Sequence, residues 1–140
     1  MRLAAFSDLS FRVLLYAAAH DDRLVTIEEI HTNLKVSRGH LMKVVHKLTT
    51  AGVLRSVRGR AGGITLNKPK REISLASVIR SGETDFAQVE CMRADGGTCT
   101  FTGFCKLPGP LNEAMDAYLG VLEKYTLEDI EVSSRIASLA

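Results

Sequence analysis

The sequence lacks any segment that would place it in a membrane or export it. No stretch approaches the ~20 apolar residues that a membrane-spanning helix needs. The first residues, MRLAAFSDLSFR, include charged and polar side chains before any long apolar run, unlike a secretory signal. We therefore expect a soluble, cytoplasmic protein that does not act at a membrane.

Cysteine is also scarce, with three residues in a chain of 140. An odd number without a secretory signal argues against a disulfide framework, because secreted scaffolds carry even numbers and the cytosol keeps thiols reduced. The length leaves no room for a second enzyme-sized domain, since one domain usually takes ~100–200 residues. Internal repeats and low-complexity tracts are absent as well, so we expect one core with an appended element.

Charge is distributed unevenly, although the net charge is only +2. Residues 1–70 hold 12 Lys and Arg against 5 Asp and Glu, whereas residues 71–140 hold 6 against 11, so the halves carry +7 and −5. This asymmetry favours a basic surface for a polyanion on the first half and a different role for the second. The alternative is that the charges only solvate each half.

Helical periodicity dominates the start of the chain. Ser7 or Asp8 is predicted to cap a first helix that ends near residues 20–22. The TIEE segment at residues 26–29 fits a capping box and starts a short helix through Leu34. The apolar residues of these helices recur at helical spacing: Phe11, Leu14, Leu15 and Ala18, then Val25, Ile27 and Ile30.

A third helix and a hairpin complete a winged helix-turn-helix pattern. Ser37 is predicted to cap the third helix, and Ala-Gly at residues 51–52 to end it. Its inward-facing residues are Leu41, Val44, Val45 and Leu48. Two short helices joined by a tight turn form a helix-turn-helix. Strand-like residues 53–57 and 64–66 flank the loop RGRAGG, which indicates a hairpin wing.

The second half is predicted to hold two helices separated by the cysteine-containing loop. One helix spans residues 74–79, and a long one starts at Pro108 or Pro110, where proline is tolerated, and ends near Tyr125. Its apolar residues have the spacing of a coiled-coil-like dimerisation stripe: Leu111, Ala114, Met115, Tyr118, Leu122 and Tyr125. Residues 126–129 resemble the start of a capped tail helix.

The predicted fold is mainly α with a small β-hairpin wing, in three parts. Residues 1–82 form a winged helix-turn-helix DNA-binding domain, and residues 83–106 form a loop that holds the cysteines. Residues 107–140 form the dimerisation helix and the tail helix.

Basic side chains mark the predicted DNA contacts. In the third helix they lie away from the apolar face, where a basic helix can enter a major groove. In the wing, arginines alternate with glycines, so they can reach phosphates or a minor groove. The predicted contacts are Ser37, Arg38, His40, Lys43 and Lys47 of the helix, and Arg58, Gly59 and Arg60 of the wing. The alternative for the wing is an exposed basic hairpin without a partner. His46 is expected to be a helix-surface residue rather than a ligand.

All cysteines of the chain, Cys91, Cys99 and Cys105, lie in one glycine-containing loop with the spacing C-x7-C-x5-C. Soft thiolates suit iron–sulfur clusters, zinc or copper(I), and zinc more often uses paired C-x2–4-C knuckles, which are absent here. The loop glycines let the backbone turn toward a cluster. The alternatives are unrelated structural cysteines or a catalytic thiol, although no histidine or acid partner is evident beside it.

Taken together, FSDLSFRVLLYAAAH, VSRGHLMKVVHKLTTAGVL, VRGRAGGITLNKP and the three-cysteine loop resemble the Rrf-type iron–sulfur transcription regulators. The resemblance continues through LEKYTLEDI and so covers nearly the whole chain. The first helix and VSRGHLMKVV are most similar to the nitric-oxide-sensing repressors of that family, the NsrR group.

The resemblance implies a homodimer that holds an iron–sulfur cluster, 4Fe-4S or alternatively 2Fe-2S, in each subunit on Cys91, Cys99 and Cys105. Asp8 of the partner subunit would complete the site, whereas the residues alone favour Asp8 equally as a helix N-cap. The C-x7-C-x5-C spacing resembles that of iron-responsive RirA regulators as much as that of the nitric-oxide sensors, and it is longer than the C-x5-C-x5-C common in the IscR group. The effector is therefore open between nitric oxide and iron or cluster status.

The implied mechanism is gated repression. The dimer would set two recognition helices about one DNA turn (~34–36 Å) apart on a pseudo-palindromic operator, and nitrosylation of the cluster would release the DNA. We expect no enzymatic activity, because the first half of the chain forms a winged helix rather than a substrate pocket. A redox enzyme or electron carrier and a zinc-stabilised regulator are the alternatives from other classes.

Overall fold

The computed structural model describes residues 3–83 and 85–132. Within these ranges five α-helices and one two-stranded antiparallel hairpin follow each other along the chain. The elements are α1 (Ala5–Ala19), α2 (Ile27–Leu34), α3 (Arg38–Thr50), β1 (Leu54–Val57), β2 (Gly63–Leu66), α4 (Leu75–Gly82) and α5 (Pro108–Leu122). The predicted mainly α fold with a small β wing is confirmed.

One apolar core joins α1, the helix-turn-helix, the hairpin and α4. Its fully buried side chains are Val13, Leu14 and Tyr16 of α1, Ile30 of α2, Leu41, Val44 and Leu48 of α3, then Leu54, Ile64, Ile73, Val78 and Leu127. Five of these positions, Leu14, Ile30, Leu41, Val44 and Leu48, are residues whose periodicity predicted the first three helices. Burial of this stripe on each helix supplies the main stabilisation of short helices that would not form alone.

The predicted caps of the helix-turn-helix are confirmed. The Thr26 hydroxyl accepts the Glu29 amide at 3.1 Å, and the Ser37 hydroxyl accepts the His40 amide at 3.3 Å. Lys35 ends α2 in the left-handed region, with φ of 52°, and this conformation makes the tight turn between α2 and α3. Local side-chain bonds thus fix where both helices begin.

The predicted cap of the first helix is wrong. α1 begins at Ala5 with Ala4 at its N-cap position, so Ser7 and Asp8 lie inside the first turn. The buried Ser7 hydroxyl donates to the Glu83 carboxylate at 2.7 Å, and the Ala4 amide donates to the same carboxylate at 3.1 Å. Glu83, just beyond the end of α4, therefore accepts hydrogen bonds at the start of α1. The interpretation of Asp8 as an N-cap is wrong.

The wing is a regular hairpin, with Leu54 opposite Leu66 and Val57 opposite Gly63. Both strands lie within one residue of their predicted bounds. Backbone bonds between Val25 and Ile64, at 3.0 and 2.8 Å, attach the hairpin to the loop that precedes α2. The wing is therefore held against the helix-turn-helix by backbone pairing as well as by core packing.

The segment after α5 differs from its prediction. α5 ends at Leu122, and Thr126–Asp129 form a turn rather than a helix. The Thr126 amide and hydroxyl both donate to Asp129, at 2.7 and 2.8 Å, and the amide bond is the contact of a capped helix start. The buried Leu127 ties this turn to Ile73 through an amide-to-carbonyl bond of 2.9 Å. The rest of the predicted tail helix, residues 133–140, lies outside the described residues. No helix in the described part of the chain is long and apolar enough to cross a membrane.

Candidate nucleic-acid interface and cysteine loop

The outward face of α3 is basic. Arg38, His40 and Lys43 are exposed, with the cap residue Ser37 beside them, while the apolar residues on the other face of α3 are buried. A helix of this shape offers cationic side chains to a major groove while its opposite face stays in the core. We call the exposed face of α3 together with the wing tip the DNA face.

Arg38 is held by an acid of the neighbouring helix. Its Nη2 atom lies 2.6 Å from Oε1 of Glu28 in α2, and both side chains are about 60% exposed. An exposed ion pair of this kind contributes only ~0–1 kcal/mol to stability. The guanidinium bonds to no other described residue, so Glu28 orients Arg38 without removing it from the DNA face.

Lys47 does not share that orientation. Its ammonium lies 5.0 Å from the centre of the Phe6 ring in α1, a cation–π contact. The sequence placed Lys47 with the groove-facing residues because it is basic and lies off the apolar face. The structure shows its ammonium at the boundary between α3 and α1, on a residue that is exposed, so its contact with DNA stays a prediction.

An exposed apolar residue of α3 is absent from the predicted contacts. Met42 lies between His40 and Lys43 on the helix and is 63% exposed. An apolar side chain on this face suits the methyl group of thymine in a major groove. Its break from the apolar periodicity of Leu41 and Val44 was the available sequence signal.

The wing tip is a tight glycine turn. Gly59 has φ of +112°, and its carbonyl accepts the Gly62 amide at 3.0 Å. A Cβ atom at Gly62 would collide with the Val57 carbonyl, so only glycine fits there. Arg58 and Arg60 are exposed beside the turn, and neither takes part in an ion pair with the residues that the structure describes.

A polar network beneath the DNA face fixes α2 to α1. The Tyr16 hydroxyl donates to Glu29 at 2.8 Å and accepts from the Asn33 amide at 2.7 Å, and Arg23 donates to Glu29 at 3.0 Å. The Arg23 guanidinium, helped by the Tyr16 hydroxyl, lowers the pKa of Glu29 to about 2. Burial raises the pKa of Tyr16, and its bond to Glu29 raises it further.

Asp8 and the helix-turn-helix are connected through one arginine. Arg12 donates through Nη2 to the Leu34 carbonyl at the end of α2, at 2.7 Å. Its Nη1 atom lies 4.0 Å from the Asp8 carboxylate, one turn earlier on α1. Asp8 is exposed, so its carboxylate is available to a second molecule.

The cysteine loop is folded in its first half. Cys91 lies in a short 3-10 turn (Glu90–Met92), and the Glu90 carboxylate accepts both the amide and the hydroxyl of Thr98, at 2.9 and 2.8 Å. The Thr98 amide lowers the pKa of Glu90. Gly96, Gly97 and Gly103 all adopt positive φ, which confirms that the loop glycines turn the backbone where other residues would be strained.

The thiols are free, with Cys91 and Cys99 half-buried and Cys105 exposed. Cys105 Sγ accepts the Leu107 amide at 3.4 Å, a bond of the type that tunes cluster sulfurs. Three thiols therefore fit an iron–sulfur group by donor chemistry. In the described part of the chain, no three Cys, His, Asp or Glu side chains converge closely enough to hold one metal ion.

The long helix α5 has no fully buried residue. Of its predicted dimerisation residues, Leu111, Met115, Tyr118 and Leu122 are half-buried, and the following Tyr125 is exposed. Met115 and Tyr118 line a cavity of about 390 Å³ with Leu3, Ile79 and Phe86 of the same chain. A second row at 4-3-4 spacing shares Ala114 with the predicted stripe and is exposed: Pro110, Ala114, Ala117 and Val121. The predicted stripe thus packs partly on its own chain.

The chain is similar to known regulators over nearly its whole length. The family model Rrf2, described as "Iron-dependent Transcriptional regulator", matches residues 3–132. The HTH-type transcriptional regulator NsrR of Bacillus licheniformis is 41% identical over 131 residues, which cover 93% of this chain and 92% of the relative. NsrR of Bacillus subtilis is also 41% identical over 131 residues, covering 93% and 90%.

Solved structures show the same fold. The IscR structure from T. potens has a TM-score of 0.73 at 21% identity and covers 93% of this chain and 85% of that one. CymR, the global cysteine regulator of B. subtilis, has a TM-score of 0.72 at 23% identity, covering 93% and 95%. The family match and the named relatives bear out the resemblance found in the sequence and the expectation that the chain is not an enzyme. The protein is a transcriptional regulator and belongs to the Rrf2 family.

Proposed function

We propose that this regulator is a cytoplasmic homodimeric repressor that binds a pseudo-palindromic operator and senses nitric oxide through an iron–sulfur cluster, of the 4Fe-4S type, in each subunit. The observation that carries the proposal is the confinement of all three cysteines to one glycine-turned loop, in a chain whose other half bears a basic winged helix. Relatives that share 41% of their residues with it carry the name NsrR.

DNA binding rests on the DNA face. Arg38, His40 and Lys43 enter the major groove, while Arg58 and Arg60 reach phosphates or the adjacent minor groove. Each phosphate contact adds affinity that falls with salt, whereas the α3 contacts read base edges. Lys47 contributes less direct contact because its ammonium packs on Phe6.

Cys91, Cys99 and Cys105 hold the cluster, and Asp8 of the partner subunit completes the site. The exposure of Asp8 and its position in the first turn of α1 support this role. A bound cluster supplies the iron with which nitric oxide reacts. Arg12 then links the site to DNA binding, because it neighbours Asp8 and holds the Leu34 carbonyl at the turn before α3.

The dimer forms along α5. A 15-residue helix without a fully buried residue leaves apolar surface that a second copy can cover. The exposed row with Ala117 and Val121 supports a close helix pair, and the exposed Tyr125 extends it. The two-fold axis of such a pair sets the spacing of the two α3 helices.

Two variants separate the sensor from the DNA face. Cys99→Ala should give a colourless dimer with weak operator binding, because the cluster is lost. Arg60→Ala should keep the visible absorbance and lose operator affinity. Tight operator binding by colourless Cys99→Ala protein would defeat cluster-gated repression.

Sensing of iron or cluster status is the second candidate, favoured by the family description "Iron-dependent Transcriptional regulator". The cysteine spacing is compatible with both signals. Nitric oxide and an iron chelator, compared at equal loss of visible absorbance, separate them. Release of DNA by both treatments to the same extent would favour iron status over nitric oxide.

A further inference from the structure

The first half of the cysteine loop is closed by one side chain. The Glu90 carboxylate accepts the Thr98 amide at 2.9 Å and the Thr98 hydroxyl at 2.8 Å, which joins residues eight positions apart. Glu90 directly precedes Cys91, and Thr98 directly precedes Cys99. We call this pair of bonds the Glu90–Thr98 clasp.

The intervening backbone is shaped to fit the clasp. Gly97 has φ of +59°, and a Cβ atom there would collide with Glu90 Cγ and lie 2.9 Å from the Glu90 carbonyl oxygen. The Gly97 amide donates to Asp95 Oδ1 at 3.1 Å, and Arg93 donates to the other oxygen of Asp95 at 3.0 Å. The turn therefore packs directly on Glu90.

The second half of the loop is held differently. From Cys99 to Cys105 the bonds among the described residues are short-range, such as the Thr102 hydroxyl to the Cys99 carbonyl at 2.8 Å. Phe101 and Phe104 are 69% and 91% exposed. Unlike Cys91 and Cys99, which are half-buried, Cys105 is exposed.

We propose that Glu90 is a positioning residue that preorganises Cys91 and Cys99 as a pair in the metal-free protein. The clasp fixes the backbone immediately before each thiol, so metal capture has to order mainly Cys105. Preorganisation of this kind raises affinity because less conformational freedom is lost on binding. The inference rests on the proposed function, since it assigns these thiols to a metal site.

Cobalt(II) is a suitable probe, because cobalt–thiolate complexes absorb in the visible and near-ultraviolet regions. Full-length apo-protein is titrated with cobalt(II) without oxygen. Glu90→Ala should weaken binding about 10–100-fold, the usual effect of removing a group that orients metal ligands. Glu90→Gln retains an acceptor oxygen and should stay close to the parent. Thr98→Val should weaken binding in the parent and add little in the Glu90→Ala background.

Thiol alkylation gives a readout without metal. In apo-protein, Glu90→Ala should speed alkylation of Cys91 and Cys99, counted by peptide mass spectrometry, and leave Cys105 unchanged. Glu113→Ala, which removes an exposed acid of α5, is the matched control. Circular dichroism verifies that each variant is folded.

Unchanged cobalt affinity and alkylation in Glu90→Ala would overturn the inference. The inference would also fail if Glu90→Gln bound cobalt(II) as weakly as Glu90→Ala, because the carboxylate would then act through its charge or as a ligand. Failure of the parent protein to bind cobalt through its thiols would instead overturn the proposed metal site, and this inference with it.

Discussion

Nη2 of Arg38 lies 2.6 Å from Oε1 of Glu28, which places a carboxylate on the surface that we propose contacts DNA. Because the pair is exposed, it contributes little to folding stability. We therefore expect it to affect the recognition of DNA. In the proposed complex, Glu28 restrains the Arg38 guanidinium at the major groove, and it repels the phosphates of DNA that offers Arg38 no hydrogen-bond acceptor. Sequence preference would gain from both effects, at some cost in affinity.

Glu28→Gln should therefore raise affinity for non-cognate duplex about fivefold and lower the ratio of cognate to non-cognate affinity. The increase corresponds to ~1 kcal/mol, the repulsion between two charges about 4 Å apart in water. Fluorescence anisotropy measures both affinities. The cognate duplex is one that the parent protein selects from a random pool, and the non-cognate duplex is a shuffled version of it. Asp116→Asn, an equal charge change on α5, is the control. An equal rise for both duplexes would show that Glu28 repels phosphates without restraining Arg38.

Glu29 should govern stability in acid. Its pKa in the folded protein is about 2, below the ordinary value of 4.5, so its stabilising effect is complete above about pH 4.5. That contribution is lost as the pH falls from 4.5 toward 2, and the difference corresponds to ~3 kcal/mol. Urea unfolding of apo-protein between pH 3 and 7 should show a shallower acid slope in Glu29→Gln. Parallel slopes for parent and variant would contradict the role of the Arg23–Glu29–Tyr16 network.

Gly82→Ala should loosen α4 from α1. A Cβ atom at Gly82 would collide with Ser7 Oγ and lie 3.1 Å from Ser7 Cα, next to the bond from Ser7 to Glu83. Overpacking of this kind costs ~1–3 kcal/mol. The midpoint temperature of thermal unfolding of the apo-protein should fall. Gly39→Ala, at a helical glycine with no neighbour within 4 Å, should not lower that midpoint. A Gly82→Ala midpoint equal to the parent's would contradict this packing.

Ala117→Arg should dissociate the dimer. Ala117 lies in the exposed row of α5, where a long charged side chain prevents close approach of a second helix. Asn112→Arg adds the same charge on the opposite side of α5 and should leave the dimer intact. Sedimentation velocity at micromolar concentration measures both variants. A dimeric Ala117→Arg protein would move the interface away from this row.

Local signals were sufficient to predict the helix-turn-helix and the wing. Thr26 and Ser37 cap their helices through bonds to residues three positions later, and the glycines near Arg60 make the hairpin turn. These interactions join residues that are close in sequence, so a short segment is enough to predict them. The start of α1 was mispredicted because the partner of Ser7 is Glu83, 76 residues away. The contact of Lys47 with Phe6 also joins two different helices, so no short window of the sequence could predict it.

The sequence was less decisive for the C-terminal half. The spacing of Met115 and Tyr118 predicts an apolar stripe but does not say whether the chain's own α4 or a second copy covers it. In the loop, the cysteine spacing predicted a soft-metal ligand set, yet no spacing rule pointed to Glu90. Its role depends on a turn whose shape is set by Gly97 and Asp95.

The central claim is that loss of the cluster to nitric oxide releases DNA. The direct measurement purifies the protein without oxygen, determines iron, sulfide and zinc, and titrates nitric oxide into one sample while following visible absorbance and operator anisotropy. Repression gated by the cluster requires iron and sulfide in the purified protein, with bleaching and DNA release that proceed together. DNA that stays bound after complete bleaching, or protein that contains zinc alone, would contradict it.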